Sequence, residues 1–488
     1  MKTLAAALSL VLVAGCTPAL SPERSSREIS ARLPSVSPYQ MLRRSIDELL
    51  PDSLFPPSNA AVRIISLTQG EALYDLNGDL ALTPASNQKL FTAACALTAL
   101  GPWYQFRTAV FLDTTAPPRI IVRGSGDPIL STKDLDSLAA AIRAAAPPES
   151  SWTLAGDLSL FDDLARGSGW AWDDEPDPTA MFISPLSLNG NTVRVLVRPG
   201  RRPGDTARVE VDPVTSYVQV ENSALTDTAG AKSSIDVSRN WREHLNSITV
   251  KGTISPRDTA VDAVLSVTDP HWYTLTVLRE KLEAWGLRCN GILLDTVPRG
   301  APEIARRVHS LDSVLTYMDL TSDNLSAENV LKTLAAEKTG IPGSAEGGAE
   351  IVRQFLEGIG IDTTRIVVAD GSGVSRYNLT SARAITTLLA AMRRKPEMYP
   401  VWYRTFPVAG VSGTLSGRMR GTAAQANLRG KTGTLEGVSS LSGYVTTADG
   451  EELAFSILMQ HYPARAREYR HVQDRIGAYL AGLKRSSF

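Results

Sequence analysis

Thr83-Pro84-Ala85-Ser86-Asn87-Gln88-Lys89-Leu90 runs without a break into an apolar segment that ends at Gly101. Its chemical content is Ser-x-x-Lys. A helix starting near Ser86 would put the hydroxyl and the amine on one face, close enough to pass a proton. A serine hydroxyl is a slow nucleophile until a neighbour takes its proton. Lysine can do this only when burial or a second cation lowers its pKa towards neutrality. Alone, a two-residue pattern of this kind is weak evidence of catalysis.

Two further stretches supply what a Ser/Lys acyl-transfer site still lacks. They are Ser322-Asp323-Asn324 and Lys431-Thr432-Gly433-Thr434, in that chain order. Taken singly, Ser322 would be a helix cap, Asn324 a turn former and Lys431 a solvated lysine. The ordered trio is a signature of penicillin-binding proteins and serine β-lactamases. The long separation of Ser86 from Ser322 implies a large insertion between the first two motifs. On these residues the chain resembles the D-alanyl-D-alanine carboxypeptidase/endopeptidase family of low-molecular-mass class C penicillin-binding proteins, peptidase family S13. The likeness covers most of the chain after its first residues.

Chemistry assigns roles to these residues before any resemblance is used. Ser86 attacks a carbonyl, Lys89 takes its proton, and the Ser86 N–H faces the developing oxyanion. Lys431 adds a second positive charge that would depress the Lys89 pKa and attract an anionic substrate end. Ser322 relays a proton to the leaving amine, and Asn324 can hold a substrate amide as both donor and acceptor. Thr432, Gly433 and Thr434 form the substrate-binding strand. Gly433 leaves room for substrate backbone, and the Thr434 N–H completes the oxyanion hole. No metal or cofactor is implied.

The N-terminus opens with Met1-Lys2-Thr3 and an apolar run from Leu4 to Val13, then Val13-Ala14-Gly15-Cys16. The run is about ten residues, short of the roughly 20 needed to span a bilayer, and reads as an export signal over residues 1–15. Its end resembles a bacterial lipobox. Cys16 would then carry lipid and anchor the chain on the periplasmic side of a membrane, with Thr17 hinting at the outer membrane of a Gram-negative cell. An ordinary cleaved signal that happens to contain cysteine is the alternative. Residues 16–37, rich in Ser, Pro and Arg, read as a tether.

A length of 488 residues with 43% hydrophobic content suits an exported enzyme of about three domains. The net charge of −1 gives no basic face for nucleic acid. Cys95 and Cys289 are far apart in sequence and read as free, buried thiols. His244, His271, His309, His461 and His471 show no metal-ligand spacing and read as structural or surface residues.

Residues 38–103 and 302–488 read as one body. It would comprise an amphipathic helix at Pro38–Leu50, a hairpin around Gly70, the Ser86 helix, a helix at Leu325–Lys338, a hairpin turning at Asp449-Gly450 and a terminal helix at Arg467–Leu483. Residues 104–205 and 265–301 read as an inserted domain, with 206–264 as a β domain nested inside it. Periodicity says α+β. The resemblance implies a serine β-lactamase/transpeptidase-like core, an antiparallel sheet flanked by helices plus a helical lobe carrying Ser322, with a large mostly-β insertion.

The resemblance also implies the activity: cleavage of the terminal D-Ala of peptidoglycan stem peptides, or of their crosslinks, with β-lactams as inhibitors. It further implies that Asp157, in Gly156-Asp157-Leu158-Ser159, leans over the cleft to meet the side-chain amine of diaminopimelate. A turn or helix-capping aspartate is the alternative. The aromatics of Gly169-Trp170-Ala171-Trp172-Asp173-Asp174 read as packing. The chain departs from the family at Ser412, before Gly413-Thr414-Leu415, where an aspartate is common. A β-lactamase or esterase of the same fold remains open, although no glutamate stands out to activate a deacylating water. So does a non-catalytic wall-binding lipoprotein.

Overall fold

Strand Glu452–Gln460 shows how the core is organised, because both of its faces are buried. Ala454 and Leu458 point into one apolar cluster, while Leu453, Phe455, Ile457 and Met459 point into another. The two-residue period of a strand therefore divides one hydrophobic run between two layers. The same alternation places Ala61 and Ile65 of strand Asn59–Ser66 in the first cluster and Val62 and Ile64 in the second. The structure, a computed structural model, describes residues 38–484 apart from 52, 56, 57, 116, 148–150, 176 and 464. The signal and lipobox residues, including Cys16, lie outside the described residues.

The central sheet has five antiparallel strands in the order Arg429–Leu435, Val438–Thr446, Glu452–Gln460, Asn59–Ser66, Ala72–Leu76. Helices Pro38–Leu49 and Ala466–Gly482 cover one face. The other face meets a helical lobe that includes Gln88–Ala99, Leu311–Thr321, Asn324–Thr339 and Ala382–Arg393. The first of these ends as its sequence implies, with Gly101 at φ +85°, beyond the Leu100 cap. Gly450, at φ +89°, turns the last hairpin.

Among the described residues, the segment between the first two motifs carries three more sheets. One has the order Arg288–Leu294, Ser151–Asp157, Arg119–Arg123, Gln105–Asp113, Glu303–Ser310 and includes two parallel pairings. It packs with helices Thr132–Ala145 and Pro270–Ala284 around a third apolar cluster. Strands outnumber helices in the insertion, as a mostly-β reading expects, and its two α-helices pack on this one sheet. Thr132–Ala145 starts at a capping box in which Ser131 and Asp134 bond each other's backbone N–H.

The expected borders do not coincide with sheet edges. Strand Glu303–Ser310 still belongs to the insertion's sheet, past the expected return at 302. Strand Thr192–Arg198 pairs with both Arg208–Asp212 and Val261–Ser266, joining residues on either side of 205/206. Cys95 and Cys289 are unpaired, but Cys289 is only half-buried. His309 donates from Nδ1 to the buried Asp127 carboxylate at 2.7 Å, and this contact raises its pKa.

Candidate active site

Ser86 stands in a single 3-10 turn, Ala85–Asn87, that leads into helix Gln88–Ala99. The residue before it, Ala85, has φ +48°, a left-handed conformation that a non-glycine residue holds only where its surroundings enforce it. Those surroundings are visible. Asn87, fully buried, donates from Nδ2 to the Lys431 carbonyl at 3.0 Å, and Ser440 Oγ donates to the Pro84 carbonyl at 2.8 Å. The nucleophile's turn is therefore bolted to the edge strand that carries the third motif and to the strand beside it.

The Lys89 amine lies 3.1 Å from Ser86 Oγ, 2.6 Å from Asn324 Oδ1 and 2.7 Å from the Ser372 carbonyl. All three of its donor directions are used. Complete burial lowers the Lys89 pKa to about 8 against the opposing pull of Asp370, Asp323, Glu328 and Asp319. Burial, rather than the expected charge of Lys431, is thus the chief cause. Lys431 is also fully buried, and burial and then the Lys89 charge lower its own pKa. Its amine donates to Ser322 Oγ at 2.9 Å. Ser322, at φ +62°, closes helix Leu311–Thr321, and Asp323 caps the helix that begins at Asn324.

One cavity of about 500 Å³ brings together Ser86, Ser322, Asn324, Thr432, Gly433 and Thr434. Two expectations change in detail. A Cβ on Gly433 would meet Ser440 Oγ at 2.2 Å and the Ser86 nitrogen at 2.9 Å. The missing side chain makes room for the nucleophile's turn, not for substrate. The Asn324 amide is already engaged at both ends, since its Nδ2 donates to the Thr179 carbonyl at 2.6 Å. It orients Lys89 and fastens the insertion segment to the helical lobe.

Asp157 is the largest departure. Its carboxylate is buried at the end of strand Ser151–Asp157, pairs with Arg123 at 3.0 Å and accepts from the Val297 and Ser159 N–H groups. Burial alone would raise its pKa, but the hydrogen bonds from Ser159, Val297 and Arg123 outweigh it and hold the group below the usual range. Asp157 does not line the cavity. The acidic residues that do are Asp174 and Asp177, from the stretch that follows Trp172. Their sequence signal was the acidic cluster of Asp173, Asp174 and Asp177 itself.

Other contributors carried no motif. Glu328, fully buried, accepts from the Ser372 N–H at 2.8 Å and the Gly371 N–H at 3.1 Å, which fixes the carbonyl that Lys89 uses. Asp370 gathers the Gly373 and Ser375 N–H groups and the Asn378 amide, each at 2.7 Å, so the Asp370–Asn378 stretch is a knotted loop. Arg418 and Arg470 bring positive charge to the cavity. Ser412 turns inward, its Oγ accepting from the Val408 N–H at 3.1 Å, while Thr414 bonds Thr432 at 2.8 Å. Among the described residues no group of His, Cys, Asp and Glu is placed to hold a metal ion.

A buried Ser/Lys pair, a Ser–x–Asn turn and a Lys-Thr-Gly-Thr edge strand converge on one cleft of an α+β molecule. That combination defines an acyl-serine enzyme of the penicillin-recognising class. Residues 42–481 match the D-Ala-D-Ala carboxypeptidase 3 (S13) family, and the chain belongs to it. It is 34% identical to a D-alanyl-D-alanine carboxypeptidase of an Actinomadura species over 90% of this chain and 84% of that one. It is 29% identical to the D-alanyl-D-alanine carboxypeptidase DacB of Haemophilus influenzae, over 83% and 86% of the two chains. The crystal structure of penicillin binding protein 4 from Haemophilus influenzae superposes with a TM-score of 0.77 at 26% identity, covering 90% of this chain and 99% of the other.

Proposed function

We propose that the chain is a serine D-Ala-D-Ala carboxypeptidase and endopeptidase acting on peptidoglycan stem peptides and crosslinks through an acyl-Ser86 intermediate. The observation that carries this reading is the contact series at the cavity floor: Ser86 Oγ to Lys89 Nζ at 3.1 Å, Lys89 to Asn324 at 2.6 Å, and Lys431 to Ser322 Oγ at 2.9 Å.

Neutral Lys89 accepts the Ser86 proton as Oγ bonds to the carbonyl carbon of the penultimate D-Ala. The N–H groups of Ser86 and Thr434 stabilise the oxyanion. As the C–N bond breaks, the proton held on Lys89 passes through Ser322, which Lys431 orients, to the leaving amine, and Lys89 is neutral again. Water then attacks the acyl-serine while Lys89 takes its proton, and Lys89 returns that proton to Ser86 Oγ as the ester bond breaks. Arg418 and Arg470 supply the charge that a substrate carboxylate needs, and Asp174 and Asp177 the charge that a side-chain ammonium needs.

A β-lactam presents the same acyl chemistry and acylates Ser86. Labelling with a fluorescent penicillin tests the reading directly. A persistent label on Ser86, together with release of D-Ala from a pentapeptide, supports it. Rapid turnover of the label would make the chain a β-lactamase, and no label would leave a binding protein.

Val13-Ala14-Gly15-Cys16 supports export with a lipid on Cys16 and anchoring at a membrane on the periplasmic side. Among the described residues no helix is long and apolar enough to cross a membrane. Mass spectrometry of the mature N-terminus decides the point. An unmodified Cys16 would reject the lipid, and a chain beginning at Ser37 should be released and keep full activity.

A further inference from the structure

The Trp172–Asp174 turn has chemistry on both sides. Asp174 lines the Ser86 cavity, whereas Trp172 and Glu175 line a second cavity of about 520 Å³. Trp172 was expected to be packed, yet it is 72% exposed. Its indole faces that of Trp241, from the strand-rich part of the insertion, with ring centroids 5.2 Å apart and planes inclined by 36°. The Arg242 guanidinium lies 5.4 Å from the centre of the Trp241 ring, and Arg166 lies 5.9 Å from that of Trp170.

Beneath the rings the floor is fixed. Glu175, 3% exposed, pairs with the equally buried Arg239 at 2.8 Å, and its other oxygen meets His244 Nδ1 at 2.8 Å. Trp170 is held by its Nε1–H on Asp370 at 2.9 Å, and Gly167 allows this because a Cβ there would strike the indole. The rings are therefore presented by a rigid support.

The exposed indole of Trp172, beside the half-buried ones of Trp170 and Trp241 on a polar, charged base, suits a ligand with flat apolar faces and hydroxyls or amides at its edges. A pyranose is such a ligand. Its axial C–H groups lie on the electron-rich indole face, while guanidinium and imidazole donors reach its ring substituents. An aliphatic or helical partner would leave the buried ionic floor and both guanidinium groups without a role.

We infer that this cavity binds the N-acetylated disaccharide of the peptidoglycan glycan strand while the attached stem peptide occupies the Ser86 cavity. The inference rests on the peptidoglycan reading above. The two cavities share one three-residue turn, and a stem peptide of four or five residues spans about 15 Å when extended, so both can be filled by one substrate molecule. The second cavity acts as a positioning site. It holds the glycan and thereby raises the local concentration of the scissile bond.

The full chain is tested with three soluble probes: the peptide-free disaccharide, the free pentapeptide and the disaccharide pentapeptide. The disaccharide should quench tryptophan fluorescence, and Trp241→Ala should weaken its binding roughly tenfold, the scale of one lost stacking contact. Trp241→Phe, which keeps an aromatic face, should restore most of it. Trp241→Ala should also raise KM for the disaccharide pentapeptide about tenfold more than KM for the free pentapeptide, with kcat little altered.

Absence of disaccharide binding by the unaltered chain overturns the inference. Equal losses on the two peptides also overturn it, because Trp241 would then be supporting structure. Quenching by the free pentapeptide alone would make the cavity a peptide site and overturn it as well. Fluorescent penicillin reports separately on the catalytic reading. A chain that takes the label but ignores the disaccharide loses this inference and keeps that reading, and the reverse pattern does the opposite.

Discussion

The cavity floor and the cavity wall treat charge in opposite ways. On the floor, Lys89, Lys431, Asp319 and Glu328 are all fully or almost fully buried, and burial heads the causes of every shift in their pKa values. On the wall supplied by the insertion, Asp174 is half-buried and Asp177 exposed. Desolvation is a means of moving a pKa, so the groups that exchange protons are withdrawn from water. Groups that only attract a charged substrate work in solvent, where each is worth less but needs no compensation.

From this contrast, substitutions on the floor should remove chemistry and those on the wall should change preference. Ser86→Ala should abolish penicillin labelling and lower peptide cleavage by roughly 10⁴-fold, while thermal unfolding hardly moves. Covalent labelling of the variant would place the nucleophile elsewhere.

The two lysines come next. Lys89→Ala should cost about 10³-fold in acylation at any pH. In the unaltered chain acylation should fall as pH drops below about 8, the value to which burial lowers Lys89, because the protonated amine cannot accept the Ser86 proton. Lys431→Ala should weaken binding and proton delivery but leave that limb nearly in place, since burial and not Lys431 dominates the Lys89 shift. A limb that moves by a full pH unit in Lys431→Ala would reassign the cause to the second lysine.

Two aspartates separate support from recognition. Asp157→Asn should lower stability by about 1–2 kcal/mol, seen as a reduced Tm, because it removes the charge of a buried carboxylate that holds the exposed Arg123 and two backbone N–H groups. Once folded, the variant should retain its preference among peptides. The smallest effect belongs to the wall. Asp174→Asn with Asp177→Asn should raise KM about fivefold for peptides with a free side-chain amine, leaving acetylated peptides and penicillin acylation unchanged. Loss of preference in Asp157→Asn, with none in the double variant, would reverse the assignment.

The sequence by itself determined the reaction class. Ser86 with Lys89, Ser322 with Asn324, and Lys431 through Thr434 are short local patterns whose spacing is set by a turn, a helix start or a strand, and such geometry survives in one dimension. It also announced the hairpins and helices with strong period, such as Asn59–Ser66 and Ala466–Gly482. What it could not settle depends on residues distant along the chain. Whether Asp157 meets substrate or Arg123, whether Trp172 packs or faces water beside Trp241, and whether Gly433 makes room for a ligand or for the Ser86 turn are all questions of which surfaces are brought together. Burial is a property of the assembled tertiary structure, and since burial sets the Lys89 pKa, the sequence could name the base but only the fold could make it one.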